Sequence, residues 1–96
     1  MINFSHLEKI TDGRNLLYTD DLQIVTLCVD SRKAAPDEGT LFFAIKGERN
    51  DGHDYLRSLY KMGVRQFVVE ASLEDQEFFA GANIIHVSSS IQALQS

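Results

Sequence analysis

Apolar residues fall along this chain in two distinct rhythms. Continuous apolar runs occur in LQIVTLCVD at residues 22–30, TLFFAI at 40–45, RQFVVEA at 65–71 and NIIHVSS at 83–89, all rich in β-branched and aromatic side chains. Runs that are apolar on both faces predict strands covered on both sides, as in α/β sheets. NLLYTDD, at 15–21, predicts a shorter strand ending in a turn at Asp20 and Asp21. Between the strands the rhythm changes. Leu56, Leu59 and Tyr60 stand at i, i+3 and i+4, one face of a helix that Gly63 can end. Ser5 and Glu8 of SHLE have the spacing of a capping box, with Leu7 and Ile10 as the apolar face and Gly13 as the stop. SLEDQEFFAG, from Ser72, predicts a short acidic helix. Strand, helix and strand in repeated order argue an α/β fold, a mostly parallel or mixed sheet flanked by short helices, with right-handed crossovers. The final SSSIQALQS starts a helix behind serine caps and stops within about two turns, too few to hold together alone. One domain is therefore expected over 1–88, with 89–96 beginning a linker into a further part of a larger protein.

Composition narrows the class. With 96 residues, 44% hydrophobic and 24% charged, the chain suits one soluble domain with a modest core. A formal net charge of −5 and no Lys/Arg tract argue against nucleic acid and against anionic membrane as partners. The N-terminus lacks the basic-then-apolar order of a secretory signal, and a cytoplasmic location is expected. Cys28 sits within an apolar run, where a buried structural thiol is expected. His6, His53 and His86 are scattered without metal-ligand spacing, so no metal site is expected.

One junction carries unusual chemistry. TLFFAI gives way to KGERNDGHDY, which holds two glycines, both charge signs, an Asn and a His immediately before the amphipathic helix. Three roles compete for it. In the first, Asp51 caps the helix with Asp54 reaching back, the glycines supply turn geometry, and the charges face water. In the second, the junction is half of a ligand site, because open α/β sheets bind ligands beyond the carboxyl ends of their strands. The VDSR exit of the preceding strand then adds the Ser31 hydroxyl and the Arg32 guanidinium, giving mixed donors and acceptors suited to a nucleotide. In the third, Ser31 is a nucleophile served by Asp30 and His53 or His86, although no G-x-S-x-G turn is present. From Asp30 to Asp54 six carboxylates outnumber four Lys and Arg side chains. An anion held there depends on specific hydrogen bonds rather than on net field.

The stretch DSRKAAPDEGTLFFAIKGERNDGHDYLRSLYKMGVRQFVVE resembles the N-terminal domain of the Mur ligases. The shared elements are Asp30-Ser31-Arg32, a Pro/Gly linker, Leu41-Phe42 with Ala44 and Gly47, then Asp51-Gly52, Gly63 and Phe67-Val68-Val69. Within the family, FFAIKGERNDGHDY is most similar to the branch adding D-alanyl-D-alanine to a UDP-N-acetylmuramoyl-tripeptide, and the branch adding the third residue is the alternative. Pro36 and Gly39 are separated by two residues where the family has them adjacent, which resembles the branch fused to an alanine racemase. The resemblance implies a domain that holds the UDP end of a UDP-N-acetylmuramoyl-peptide through Val29, Asp30, Ser31 and Arg32, with Gly47, Glu48, Arg49, Asn50 and His53 from the second junction. It implies no catalytic residue here. ATP and Mg²⁺ are implied for a middle domain, the incoming amino acid for a C-terminal one, and pyridoxal phosphate if a racemase follows. A non-catalytic interaction module on the same fold is the other expectation. The sequence contains no G-x-x-x-x-G-K-[ST] phosphate loop, so turnover by these residues alone is not expected.

Overall fold

A computed structural model describes residues 2–95; Met1 and Ser96, the outer ends of the two expected ranges, lie outside the described residues. The strands in chain order are β1 (Ile2–Asn3), β2 (Arg14–Leu17), β3 (Gln23–Ile24), β4 (Thr26–Cys28), β5 (Thr40–Phe43), β6 (Gln66–Val69) and β7 (Asn83–His86). The α-helices are α1 (Leu7–Thr11), α2 (Leu56–Met62) and α3 (Ser90–Gln95). One sheet has the order β2–β7–β6–β5–β4. Its last four members are parallel neighbours, and β2 joins antiparallel at the far edge. β1 and β3 form a separate antiparallel pair.

The central strands are apolar throughout because each has cover on both sides. Phe42, Phe67 and Ile84 pack with Leu56 and Leu59 of α2 and with Phe79 of the 3-10 turn Gln76–Phe79. Their neighbours Leu41, Phe43, Val68 and Ile85 pack instead with Phe4, Leu7 of α1 and Ala93 of α3. Strand alternation thus divides one apolar run between two clusters, giving a helix–sheet–helix sandwich. The α/β class and the parallel pairing are as the periodicity implies. No helix among the described residues is long and apolar enough to cross a membrane.

Residues 22–30 correct the expectation. They do not form one strand covered on both faces. The amides of Val25 and Thr26 both donate to the Gly39 carbonyl, at 2.8 and 3.1 Å, and the chain bends there into β3 and β4. β4 is an edge strand, and Val25, Leu27 and Val29 are 67%, 55% and 50% exposed. Apolar content reports the capacity to be buried, but it cannot say which strand lies outermost.

Two helix ends also differ. The Ser5–Glu8 box does not form: Ser5 N–H donates to Asp21 Oδ1 (2.9 Å), and Glu8 Oε2 accepts from Asn15 N–H (2.8 Å). A 3-10 turn, Phe4–His6, begins one residue earlier, with Asn3 N–H donating to His6 Nδ1. Asp12, at φ 58°, ends α1 in place of Gly13. The acidic segment after Ser72 forms only the turn at Gln76–Phe79. By contrast α2 ends at Gly63 (φ 121°), where a Cβ would lie 2.7 Å from the Pro36 carbonyl oxygen.

The layering predicts unequal mutational costs. Phe67, fully buried and edge-to-face with Phe79, should cost about 3–5 kcal/mol on change to Ala. Val25→Thr on the exposed edge should stay within about 0.5 kcal/mol. Urea unfolding of both variants checks this.

Candidate functional site

Parallel pairing of β4 with β5 brings two strand exits to one end of the sheet. After Val29 the first exit turns at Asp30 into the 3-10 turn Ser31–Lys33. Asp30 Oδ1 accepts the Arg32 backbone N–H (3.0 Å), and its two oxygens also receive Nε and Nη2 of the Arg32 guanidinium at 3.2 and 3.1 Å. The second exit is a small hairpin. Lys46 bridges Asp51, Gly47 N–H donates to the Asn50 carbonyl (2.8 Å), and Gly52 N–H returns to the Ile45 carbonyl (2.9 Å). Asp51 then repeats the first turn, its Oδ1 accepting the His53 backbone N–H at 3.0 Å and starting Gly52–Tyr55, which leads into α2. The two motifs use the same device, an aspartate at the strand exit accepting the amide two residues on.

A hollow of about 370 Å³ lies between the exits. Val29, Asp30, Ser31 and Arg32 line it from one side, Ile45, Asn50, Gly52 and Tyr55 from the other, together with Phe42 of β5. Among the described residues, neither the Ser31 hydroxyl nor the Asn50 carboxamide has a hydrogen-bond partner in the protein. The Arg32 side chain is 87% exposed despite its pairing with Asp30. Tyr55 is 39% exposed. The hollow therefore offers a free hydroxyl, a free amide, a guanidinium and an aromatic ring.

Five of the expected residues, Val29, Asp30, Ser31, Arg32 and Asn50, come together here. Gly47, Glu48 and Arg49 are exposed on the hairpin, outside the lining. His53 points into the fold: Nδ1 lies 2.6 Å from Asp51 Oδ1, and Nε2 accepts the Glu70 and Ala71 amides at 2.9 and 3.2 Å. His86 Nε2 bonds the Glu70 carbonyl at 2.8 Å. Both His53 nitrogens are taken, and His86 stands on β7, two strands beyond β5 and outside the lining of the hollow, so neither histidine is placed to serve Ser31 as a base.

Phe42, Ile45, Gly52 and Tyr55 line the hollow but were not among the expected residues. Tyr55 stands one place before the Leu56/Leu59/Tyr60 face, and an exposed ring beside the Asp51-Gly52 turn was the available signal. Gly52 permits a close approach, since a Cβ there would lie 2.8 Å from Ile45 N and 2.9 Å from Ala44 Cα.

Charge at both turns is fixed. The Arg32 guanidinium and amide hold the Asp30 carboxyl below its ordinary range, and Asp30 in return raises Arg32. The His53 amide and ring lower Asp51.

Comparison with known proteins follows the same lines. A family model described as "Mur ligase family, catalytic domain" matches residues 23–96. The chain is 34% identical over 74 residues to the UDP-N-acetylmuramoyl-L-alanyl-D-glutamate–2,6-diaminopimelate ligase of Cytophaga hutchinsonii, covering 77% of this chain and 15% of that protein. For the ligase of the same name from Coxiella burnetii the values are 39% over 56 residues, 58% and 11%. A crystal structure of MurF from Acinetobacter baumannii matches with a TM-score of 0.72 at 26% identity, over 94% of this chain and 18% of that one. The chain thus spans under a fifth of each relative's length.

Gly52→Ala should cost about 1–3 kcal/mol and disturb the hairpin amides, because backbone must shift to admit the methyl group; unfolding and amide spectra check it. Asp30 and Asp51 have folded pKa values below their unfolded value of 3.8, so their contribution is complete above that value and is lost as pH falls through the folded pKa. Stability should therefore decline below about pH 4. Asp51→Asn, which keeps the acceptor but cannot titrate, should flatten that acid limb; an unchanged limb would contradict the assignment.

Proposed function

We propose that this chain, which belongs to the Mur ligase family, anchors the uridine-diphosphate end of a UDP-N-acetylmuramoyl-peptide for an ATP-dependent, amide-forming ligase of peptidoglycan precursor synthesis. The observation that carries the proposal is the single hollow between two strand exits, holding the unpartnered Ser31 hydroxyl and Asn50 carboxamide. Uracil presents one donor between two acceptors, which a carboxamide and backbone groups near Val29 can match. The Tyr55 ring offers a face for a base, an interaction worth about 1–3 kcal/mol. Arg32 and Ser31 can meet the diphosphate by directed hydrogen bonds, as the acidic surroundings require. Gly47, Glu48 and Arg49 stand as outer contacts on the hairpin.

ATP and Mg²⁺ do not fit these residues. The sequence has no phosphate loop of the G-x-x-x-x-G-K-[ST] kind, and no group of three His, Cys, Asp or Glu among the described residues is placed to hold a metal ion. On this proposal they belong to further domains of a parent chain acting in the cytoplasm, and this chain serves catalysis by holding the far end of a long substrate.

Within the family we assign the chain to the D-alanyl-D-alanine-adding branch. MurF structures match it over 94% of its length. The second assignment, to the 2,6-diaminopimelate-adding branch, is favoured by the 34% identity over 74 residues. Both name UDP-N-acetylmuramoyl substrates, so the hollow serves either. Assaying the parent enzyme with tripeptide plus D-alanyl-D-alanine against dipeptide plus diaminopimelate separates them. We further propose a fused alanine racemase carrying pyridoxal phosphate, supported by the separated Pro36 and Gly39; alanine racemisation by the parent enzyme tests it.

Titrating UDP into the isotope-labelled chain should shift amides of residues 29–32 and 45–55. Ser31→Ala should weaken binding about 2–10-fold, the value of one hydrogen bond. In the parent enzyme the same change should raise KM and leave kcat nearly intact. Silence at millimolar UDP, or loss confined to kcat, would contradict the anchoring role.

A further inference from the structure

The exit leg of the hairpin that forms half of the hollow is held from behind by the His53 side chain. His53 is largely enclosed, its side chain 11% exposed, and both ring nitrogens are engaged. Two amide N–H groups, from Glu70 and Ala71 just beyond β6, converge on Nε2 at 2.9 and 3.2 Å. A nitrogen receiving two donors carries no hydrogen of its own, so the ring proton resides on Nδ1 and is donated to Asp51 Oδ1 at 2.6 Å. Asp51 is the hairpin's closing residue, bridged to Lys46.

The other leg of the hairpin has a separate tie. Glu70 Oε1 accepts Ser90 N–H (2.6 Å), and the Ser90 hydroxyl donates to the Ala44 carbonyl (2.9 Å), one residue before Ile45. Both legs are thus fastened to the segment that follows β6, one through His53 and one through Ser90. The Ser90 tie fixes where the chain enters the hairpin, and His53 fixes where it leaves.

We propose that His53 is a positioning residue: as the Nδ1–H tautomer it locks the exit of the 46–51 hairpin to the end of β6, and so places Asn50, Gly52 and Tyr55 around the hollow without touching the ligand. The part of this that concerns ligand rests on the nucleotide-anchoring function proposed above. The part that concerns loop order does not.

The test uses the 96-residue chain and two variants. His53→Gln keeps an acceptor near the position of Nε2, and His53→Ala removes both bonds. A long-range proton–nitrogen spectrum of the wild-type ring should show a hydrogen on Nδ1 and none on Nε2, unchanged when UDP is added. Exchange of the Gly47 and Gly52 amides, both bonded within the hairpin, should accelerate in His53→Ala and be largely restored in His53→Gln. UDP affinity should fall about tenfold in His53→Ala, with the Gln variant intermediate. A hydrogen on Nε2, unchanged hairpin exchange in a folded His53→Ala, or ring signals that move with UDP as Asn50 does would overturn the proposal. Should the wild-type chain fail to bind UDP, the anchoring function fails, and the tautomer and exchange measurements still decide the role of His53.

Discussion

Three register pairs, Thr26 with Thr40, Leu27 with Leu41 and Cys28 with Phe42, make β4 and β5 parallel and send both chains out of the sheet at the same end. An antiparallel pairing would have put the two exits at opposite ends of the molecule. Because the strands are parallel, each exit must also turn away to a distant element, and a sharp turn leaves amides that need acceptors. Asp30 and Asp51 supply those acceptors at corresponding places. The polar residues that look like ligand chemistry in the sequence are therefore divided. The aspartates are committed to holding the turns. Ser31 and Asn50, beside them, remain free. The hollow keeps free polar groups because the turns are satisfied by other residues, and the buried Phe42 and Phe67 behind them hold the sheet that sets their spacing.

Much of this was legible in the chain. The strands at 40–45, 65–71 and 83–89 declare themselves because burial on both faces demands apolar residues at every position, and α2 because its buried face repeats at i, i+3 and i+4. Asp51 as a cap and Gly63 as a stop follow from local stereochemistry, which sequence records directly. What was not legible depends on distant neighbours. Residues 22–30 have the composition of a central strand, yet their place at the edge is decided by which strands pair. Ser5 and Glu8 have capping-box spacing, but Asp21 and Asn15 compete for the same groups from elsewhere in the fold. His53 was expected among the UDP contacts, and only the proximity of the Glu70 amide explains its inward orientation. Tyr55 escaped notice because helical periodicity counts only what faces the core.

The comparisons and the geometry constrain function at different levels. The chain belongs to the Mur ligase family, while its relatives divide between ligases named for 2,6-diaminopimelate and ligases named for D-alanyl-D-alanine. That division is intelligible if this domain grips the end of the substrate that both reactions share. Branch identity would then be written where the incoming amine binds, among residues outside this chain. On the proposed function, binding energy gathered here serves chemistry elsewhere, since a long flexible substrate held at one end loses freedom at the other.

The central claim is that the two strand exits grip one ligand between them. Nuclear Overhauser contacts from the uracil H5 and H6 protons of bound UDP, measured on the labelled chain, test it most directly. Contacts to both Val29 on the first exit and Tyr55 on the second are the predicted result. Contacts confined to one exit, or to a surface away from Ser31 and Asn50, would contradict it.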